Sequence, residues 1–313
     1  MGKVAFLFPG QGAQVVGMGQ ALADWGRENM EGVFATADAQ LGFSLRGLMF
    51  HGPAETLNLT ENTQPALVTT AMAAYQMILD ETSLRPDYVA GHSLGEYAAL
   101  CAAGAFTFAD AVHLVRLRGI AMQEAVPVGE GAMAAMLNMP QEQVEQVCQQ
   151  AALETEGVCV PANFNTSAQI VISGHKKSVD RALELAREVG AKRCILLKVS
   201  APFHCPLMQP AANRMALALA EVAFTDLSIP LIANVTADIV TQGNAARQLL
   251  VEQITGAVRW EASMLRLLEL GVDRFVEVGT GNVLIGMLRR ILPQARAVAV
   301  NGPEDLQKLQ EMV

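Results

Sequence analysis

Asp87-Tyr-Val-Ala-Gly-His-Ser-Leu-Gly-Glu-Tyr97 is the stretch from which the fold can be read. Residues 88–90 are a short apolar run that reads as a buried strand. Residues 96–105 read as a helix rich in small side chains. Gly91-x-Ser93-x-Gly95 lies between them. So tight a strand-to-helix reversal leaves little room beside the serine, and glycines two before and two after it relieve the crowding. Ser93 is therefore expected in a strained conformation with its Oγ exposed at the end of a sheet, the nucleophile-elbow arrangement. The helix start adds unpaired N–H groups and a positive dipole end. The backbone N–H of Leu94 is then a natural oxyanion donor. A glycine-rich turn with an incidental serine fits the same five residues.

Upstream, residues 3–8 read as a buried strand running into Pro9-Gly10-Gln11-Gly12. A dinucleotide-binding loop fails here, because position 15 is valine rather than the third glycine and no acidic residue ends a second strand about 20 residues on. The two glycines instead let this backbone approach another site, with the Gln11 N–H as a second oxyanion donor. Residues 17–41 read as helix, 44–49 as a short element and 51–55 as a loop. Thr63-Gln-Pro-Ala66 reads as a helix opening with Pro65 in its first turn. The residues after it are apolar nearly all round, as in a buried helix.

Downstream, 108–122 reads as a helix whose stripe is Ala111, Leu114, Val115 and Met122, with Arg118 on the same face. A buried guanidinium is costly without an anion. Periodicity alone favours a structural ion pair or a snorkelling arginine over a ligand clamp. From about 127 the pattern becomes β-α-β-β-α-β: 131–137, 140–152, 158–163, 169–173, 176–189 and 192–199. That is the ferredoxin-like order. From 200 onward, helices at 205–222, 245–254, 260–270 and 282–291 alternate with strands at 230–235, 274–278 and 297–300. Strands alternating with helices imply a mostly parallel, two-sided sheet. The expected architecture is α/β: a large α/β-hydrolase-like domain, 1–126 and 200–313, carrying an inserted ferredoxin-like subdomain, 127–199. Gly279-Thr-Gly281 fits a phosphate cradle or, more simply, a tight strand-to-helix turn.

The chain's 313 residues, 51% hydrophobic, suffice for a large core and a smaller second unit. No run approaches the ~18 apolar residues of a membrane span, and the N-terminus has no signal-peptide pattern. A cytoplasmic protein is expected. Five scattered cysteines without a C-x-x-C argue against disulfides and a zinc site. A net charge of −9 without a basic stripe argues against nucleic acid.

A serine nucleophile needs a base, and the chain has five histidines. His92 adjoins Ser93 and should point away from it. His113 lies within a helix, and His51 and His175 lie in loops. His204 follows a strand and precedes a helix, where the catalytic groups of α/β sheets gather. Elimination and location favour His204. No Asp or Glu is convincingly placed as a third member, so a Ser–His dyad is expected, with a backbone carbonyl holding the imidazole.

These residues resemble a known family, the bacterial malonyl-CoA:acyl-carrier-protein transacylases and, more broadly, the acyltransferase domains of polyketide and fatty-acid synthases. The resemblance covers nearly the whole chain. It is carried by Phe8-Pro-Gly-Gln-Gly12, Thr63-Gln-Pro-Ala66, Gly91-His-Ser-Leu-Gly-Glu-Tyr97, Arg118-Gly119, Met122-Gln-Glu-Ala125, Asn163-Phe-Asn165, Pro202-Phe-His-Cys205, Glu252-Gln-Ile-Thr255 and Val258-Arg-Trp260. It implies Ser93 as acyl-accepting nucleophile, His204 as base, and Gln11 and Leu94 as oxyanion donors. It makes Arg118 the clamp on the malonyl carboxylate, reversing the periodicity reading. Gln253 becomes the residue whose main-chain carbonyl orients His204. Gln64, Met122, Asn163, Asn165 and Phe203 fall to the substrate cleft, Phe203 resembling the malonyl-preferring type. The implied substrate is malonyl-CoA and the implied partner an acyl carrier protein. No metal or redox cofactor, no nucleic acid, no membrane and a monomeric state are expected. Lys176, Lys177, Arg289 and Arg290 are carrier-docking candidates by charge alone.

Overall fold

The computed structural model describes residues 2–197, 199 and 201–312. Its strands in chain order are β1 (Lys3–Phe8), β2 (Tyr88–Gly91), β3 (Gly131–Leu137), β4 (Cys159–Thr166), β5 (Gln169–His175), β6 (Arg193–Leu196), β7 (Leu231–Ile232), β8 (Ile239–Val240), β9 (Val272–Val278) and β10 (Arg296–Val300). Two sheets result. The six-stranded sheet has the order β10-β9-β1-β2-β7-β8, parallel throughout except for the antiparallel β7–β8 pair. Strict alternation along β1 explains why both faces are covered. Val4, Phe6 and Phe8 enter the main core, while Ala5 and Leu7 enter a second core with Phe275 and Trp260.

The second sheet has the order β4-β5-β3-β6, antiparallel, with the helices Gln141–Thr155 and Lys176–Glu188 supplying its own core. This is the expected β-α-β-β-α-β arrangement. Its outer strand is tied to the large sheet's side of the molecule. Phe164 N–H donates to the Val258 carbonyl at 2.9 Å, and Val258 N–H donates to the Ala162 carbonyl at 2.9 Å.

Several sequence expectations are corrected. The helix read from 63 begins a turn earlier and runs Thr60–Glu81, so Pro65 lies inside it. Pro65 has no N–H for the Glu61 carbonyl. Arg116 Nη1 supplies that bond from the neighbouring helix at 2.8 Å. The span 17–41 is two helices, Gln20–Asp24 and Glu28–Leu41, separated around Gly26 at φ 72°. The strand read over 230–235 narrows to Leu231–Ile232, because Asn234 leaves the sheet to bond the elbow. The 205–222 helix opens with a 3₁₀ turn, Pro206–Met208, before Gln209–Glu221. The sequence reading also missed β8 and the last helix, Leu306–Met312.

Candidate active site

The elbow forms as its glycines require. A Cβ on Gly91 would lie 2.0 Å from the Gly95 carbonyl, and one on Gly95 would lie 2.0 Å from the Phe8 carbonyl. Only bare α-carbons let the helix Gly95–Ala102 start this close to the ends of β1 and β2. Ser93 takes φ 51°, the left-handed strain expected of it. Asn234, which the sequence reading did not single out, pins this geometry. Its Oδ1 accepts from Ser93 N–H at 2.7 Å and its Nδ2 donates to the Gly91 carbonyl at 2.6 Å. Asn234 lies in an unremarkable Ala-Asn-Val run, and only the fold discloses its role.

Ser93 Oγ and His204 Nε2 are 2.7 Å apart. His204 Nδ1 lies 2.8 Å from the Gln253 carbonyl and 3.2 Å from the Gly256 carbonyl. Carbonyls only accept, so the Nδ1 carries the proton and Nε2 offers its lone pair to the serine hydroxyl. His204 is buried and itself strained at φ 58°. Burial, and then the Arg118 charge, push its pKa down to about 3, so the imidazole is a neutral base.

Arg118 lies in the helix Phe108–Glu124, which approaches the Thr60–Glu81 helix across Gly119. A Cβ there would lie 2.6 Å from Glu61 Cα. That approach sets Arg118 Nη1 3.0 Å from Gln64 Oε1. Its Nη2 donates to Gln253 Oε1 at 3.0 Å and to Ser93 Oγ at 3.1 Å. Arg118 is 2% exposed, yet no carboxylate comes within ion-pair distance of it among the described residues. The structural ion pair and the snorkelling side chain favoured by periodicity are therefore both absent. Each η nitrogen carries two protons. One on Nη2 already faces the serine, and one on Nη1 is not used by Gln64.

The cleft has a volume of about 200 Å³ and opens to solvent. Gln11, Gln64, Ser93, Leu94, Arg118, Met122, Asn163, Phe203 and His204 all line it. Ser93 N–H goes to Asn234 and Gly95 N–H to the His92 carbonyl, whereas no acceptor among the described residues takes the amides of Leu94 or Gln11. Gln253 orients His204 through its carbonyl as expected, whereas Asn165 sits differently. Gln253 is buried beneath the cleft, acting through its carbonyl and carboxamide. Asn165 does not line the cleft; its Oδ1 accepts from His92 Nε2 at 2.8 Å. His92 thus turns away from Ser93 toward the small sheet, as expected. His113 is exposed, and His175 Nδ1 accepts from Val158 N–H at 2.9 Å.

A strained serine, a neutral imidazole at its hydroxyl, two idle amides and a buried cation make a site for acyl transfer to and from serine. The model of the acyl transferase domain matches residues 5–303, and the chain belongs to that family. Among curated relatives, the malonyl CoA-acyl carrier protein transacylase of Bacillus subtilis (strain 168) is 46% identical, aligned over 98% of this chain and 96% of the relative. The Escherichia coli (strain K12) transacylase of the same name is 45% identical over 97% of each. Of solved structures, the Coxiella burnetii malonyl CoA-acyl carrier protein transacylase superposes at TM-score 0.95 with 41% identity, covering 99% of this chain and 98% of that one. A malonyl-transacylase solved with its holo type II polyketide acyl-carrier protein also superposes at TM-score 0.95, with 40% identity and 99% of both chains covered.

Proposed function

We infer that this chain moves a malonyl group from malonyl-CoA to the phosphopantetheine thiol of an acyl carrier protein, through malonyl-Ser93, in fatty-acid biosynthesis. The observation that carries this is Arg118: a buried cation without a carboxylate partner, bonded to the nucleophile itself. His204 Nε2 takes the Ser93 proton as Oγ attacks the thioester carbonyl. The amides of Gln11 and Leu94 hold the oxyanion, each contributing roughly 3–4 kcal/mol. The C–S bond breaks, and the CoA sulfur leaves as a thiol with the proton from His204. The carrier thiol then gives its proton to His204, attacks malonyl-Ser93 and restores the serine. The free acyl carboxylate takes a charge-assisted contact from the η protons that Gln64 and Gln253 do not take. Gln64, Met122, Asn163 and Phe203 shape the acyl pocket. The proton and the acyl group balance without a metal or redox cofactor.

On this reading the segment 127–199 is a subdomain forming one wall of the cleft. The protein acts as a cytoplasmic monomer, without nucleic acid or membrane. A net charge of −9 supports the exclusion of nucleic acid, and no described helix is long and apolar enough to cross a membrane. Ser93→Ala should abolish covalent malonyl labelling in an intact-protein mass spectrum; label surviving elsewhere would sink the assignment. Arg118→Ala should cost turnover of malonyl-CoA far more than of acetyl-CoA. The solved polyketide carrier complex favours one second reading, the same transfer serving a polyketide assembly line. Comparing kcat/KM for the two kinds of carrier protein separates them.

A further inference from the structure

The buried acids among the described residues are Glu96, Glu277 and Asp305. Glu277 caps the helix Val283–Ile291 by accepting from Leu284 and Ile285 N–H, and Asp305 pairs with Lys308. Glu96 is 1% exposed and makes no ion pair among the described residues. Its Oε1 accepts from Asn234 N–H at 3.2 Å and its Oε2 from Gln253 Nε2. The other end of the same carboxamide, Gln253 Oε1, accepts from Arg118 at 3.0 Å. One dry cation and one dry acid thus stand at the two ends of a single amide. A buried cation needs a compensating charge, and a substrate carboxylate would be a second anion for the same guanidinium.

We propose that Glu96 is an internal counter-ion to Arg118, competing with the carboxylate of the incoming acyl group and so tuning selection of dicarboxylic over monocarboxylic acyl groups. The proposal rests on Arg118 being the acyl clamp. Its consequence is proton-linked selection. Tyr97 follows Glu96 on its own helix and feels its charge; Cys101 lies further along that helix, and Tyr75, on the Thr60–Glu81 helix, donates its OH to the Ala102 carbonyl. His92 stands on the elbow, His204 at the Ser93 hydroxyl and Arg118 on the Phe108–Glu124 helix. The helix Gly243–Thr255 presents the neutral Gln253. Burial holds His92 and His204 neutral and pushes Tyr97 and Cys101 up to about 12; burial also raises Tyr75. Glu96, raised by burial to about 7 against the pull of Gln253, Asn234 and Arg118, is the member of this set that changes charge near neutrality. Protonated Glu96 leaves Arg118 to the substrate. Ionised Glu96 shares it.

The test is the ratio of kcat/KM for CoA release from malonyl-CoA and from acetyl-CoA, measured on the full chain from about pH 6 to about pH 8. Ionisation of His204 or of the acceptor thiol affects both substrates and cancels in the ratio. A tenfold shift corresponds to about 1.4 kcal/mol, which a unit charge on the far side of one carboxamide supplies at an effective dielectric between that of the interior and that of bulk water. The wild-type ratio should therefore fall by that factor as pH rises, with its midpoint near the value of about 7 for Glu96. In Glu96→Gln the ratio should be flat across the range, whatever its absolute level. A flat or rising wild-type ratio, or the same inflection in Glu96→Gln, overturns the proposal; an acid with only a structural role would slow both substrates and leave no inflection. If Glu96→Gln does not fold, the wild-type profile still decides. Arg118→Ala separates the two levels of inference. If it leaves the ratio unchanged, the clamp itself fails; if it collapses the ratio while the wild type is flat in pH, Glu96 alone fails.

Discussion

Ser93 Oγ donates its proton to His204 Nε2 at 2.7 Å and accepts from Arg118 Nη2 at 3.1 Å, so the base and the clamp meet on one oxygen. The cost of burying these groups has a pH signature. His204 titrates at about 3 when folded and at the ordinary imidazole value of 6.5 when unfolded. Between those values the unfolded chain holds the extra proton, so this histidine's contribution to stability is complete above 6.5 and is lost as pH falls. Glu96 titrates at about 7 when folded and 4.5 when unfolded. Between those values the folded chain holds the extra proton, so stability falls as pH rises. From about 4.5 to about 6.5 the two proton balances cancel, which predicts a flat contribution from the pair over that window. In urea titrations Glu96→Gln should turn the plateau into a rise with pH, and His204→Ala should turn it into a decline. Unchanged plateaus in both variants would contradict the buried, uncharged state assigned to these groups.

Elements were legible where a local pattern carried their energetics, and illegible where a distant residue did. The elbow is local: glycine positions, an apolar strand and a small-residue helix sit within residues 88–105, and all were readable. The Thr60–Glu81 helix is not local. Pro65 normally marks a first turn, and the earlier turn survives because Arg116 satisfies the carbonyl that proline leaves free. Arg116 also reaches Asn62 Oδ1 and pairs with Glu61 at 3.2 Å. Arg116→Met should therefore cost about 1–3 kcal/mol, the range for an orphaned buried acceptor. Urea unfolding would show this; a loss under a few tenths of a kcal/mol would mean that water replaces the arginine. The strand read over 230–235 fails for the same kind of reason. Asn234 turns both ends of its carboxamide to the elbow, and its partners lie about 140 residues away along the chain, Gly91 143 and Ser93 141.

At the scale of the molecule, the inserted unit was readable from the change in element order, but the way it is held was not. Backbone bonds between Ala162, Phe164 and Val258, with the side-chain bond from His92 to Asn165, join the small sheet to the wall carrying Ser93 and His204. The family resemblance put Asn165 in the substrate cleft, whereas the side chain braces the two units just behind the nucleophile. His92 lies tilted against Trp260, ring centroids 5.4 Å apart, and is held neutral by burial, so this bond is between uncharged partners. A neutral buried bond contributes about 1 kcal/mol. Asn165→Ala should accordingly lower kcat/KM by up to about fivefold, the limit in which all of that free energy serves to hold the wall in place, since about 1.4 kcal/mol corresponds to a factor of ten. The loss should be equal for malonyl-CoA and acetyl-CoA, because a loosened wall disturbs the serine and not the Arg118 contact. Steady-state kinetics with both substrates decides it. A loss confined to malonyl-CoA would return Asn165 to the acyl pocket.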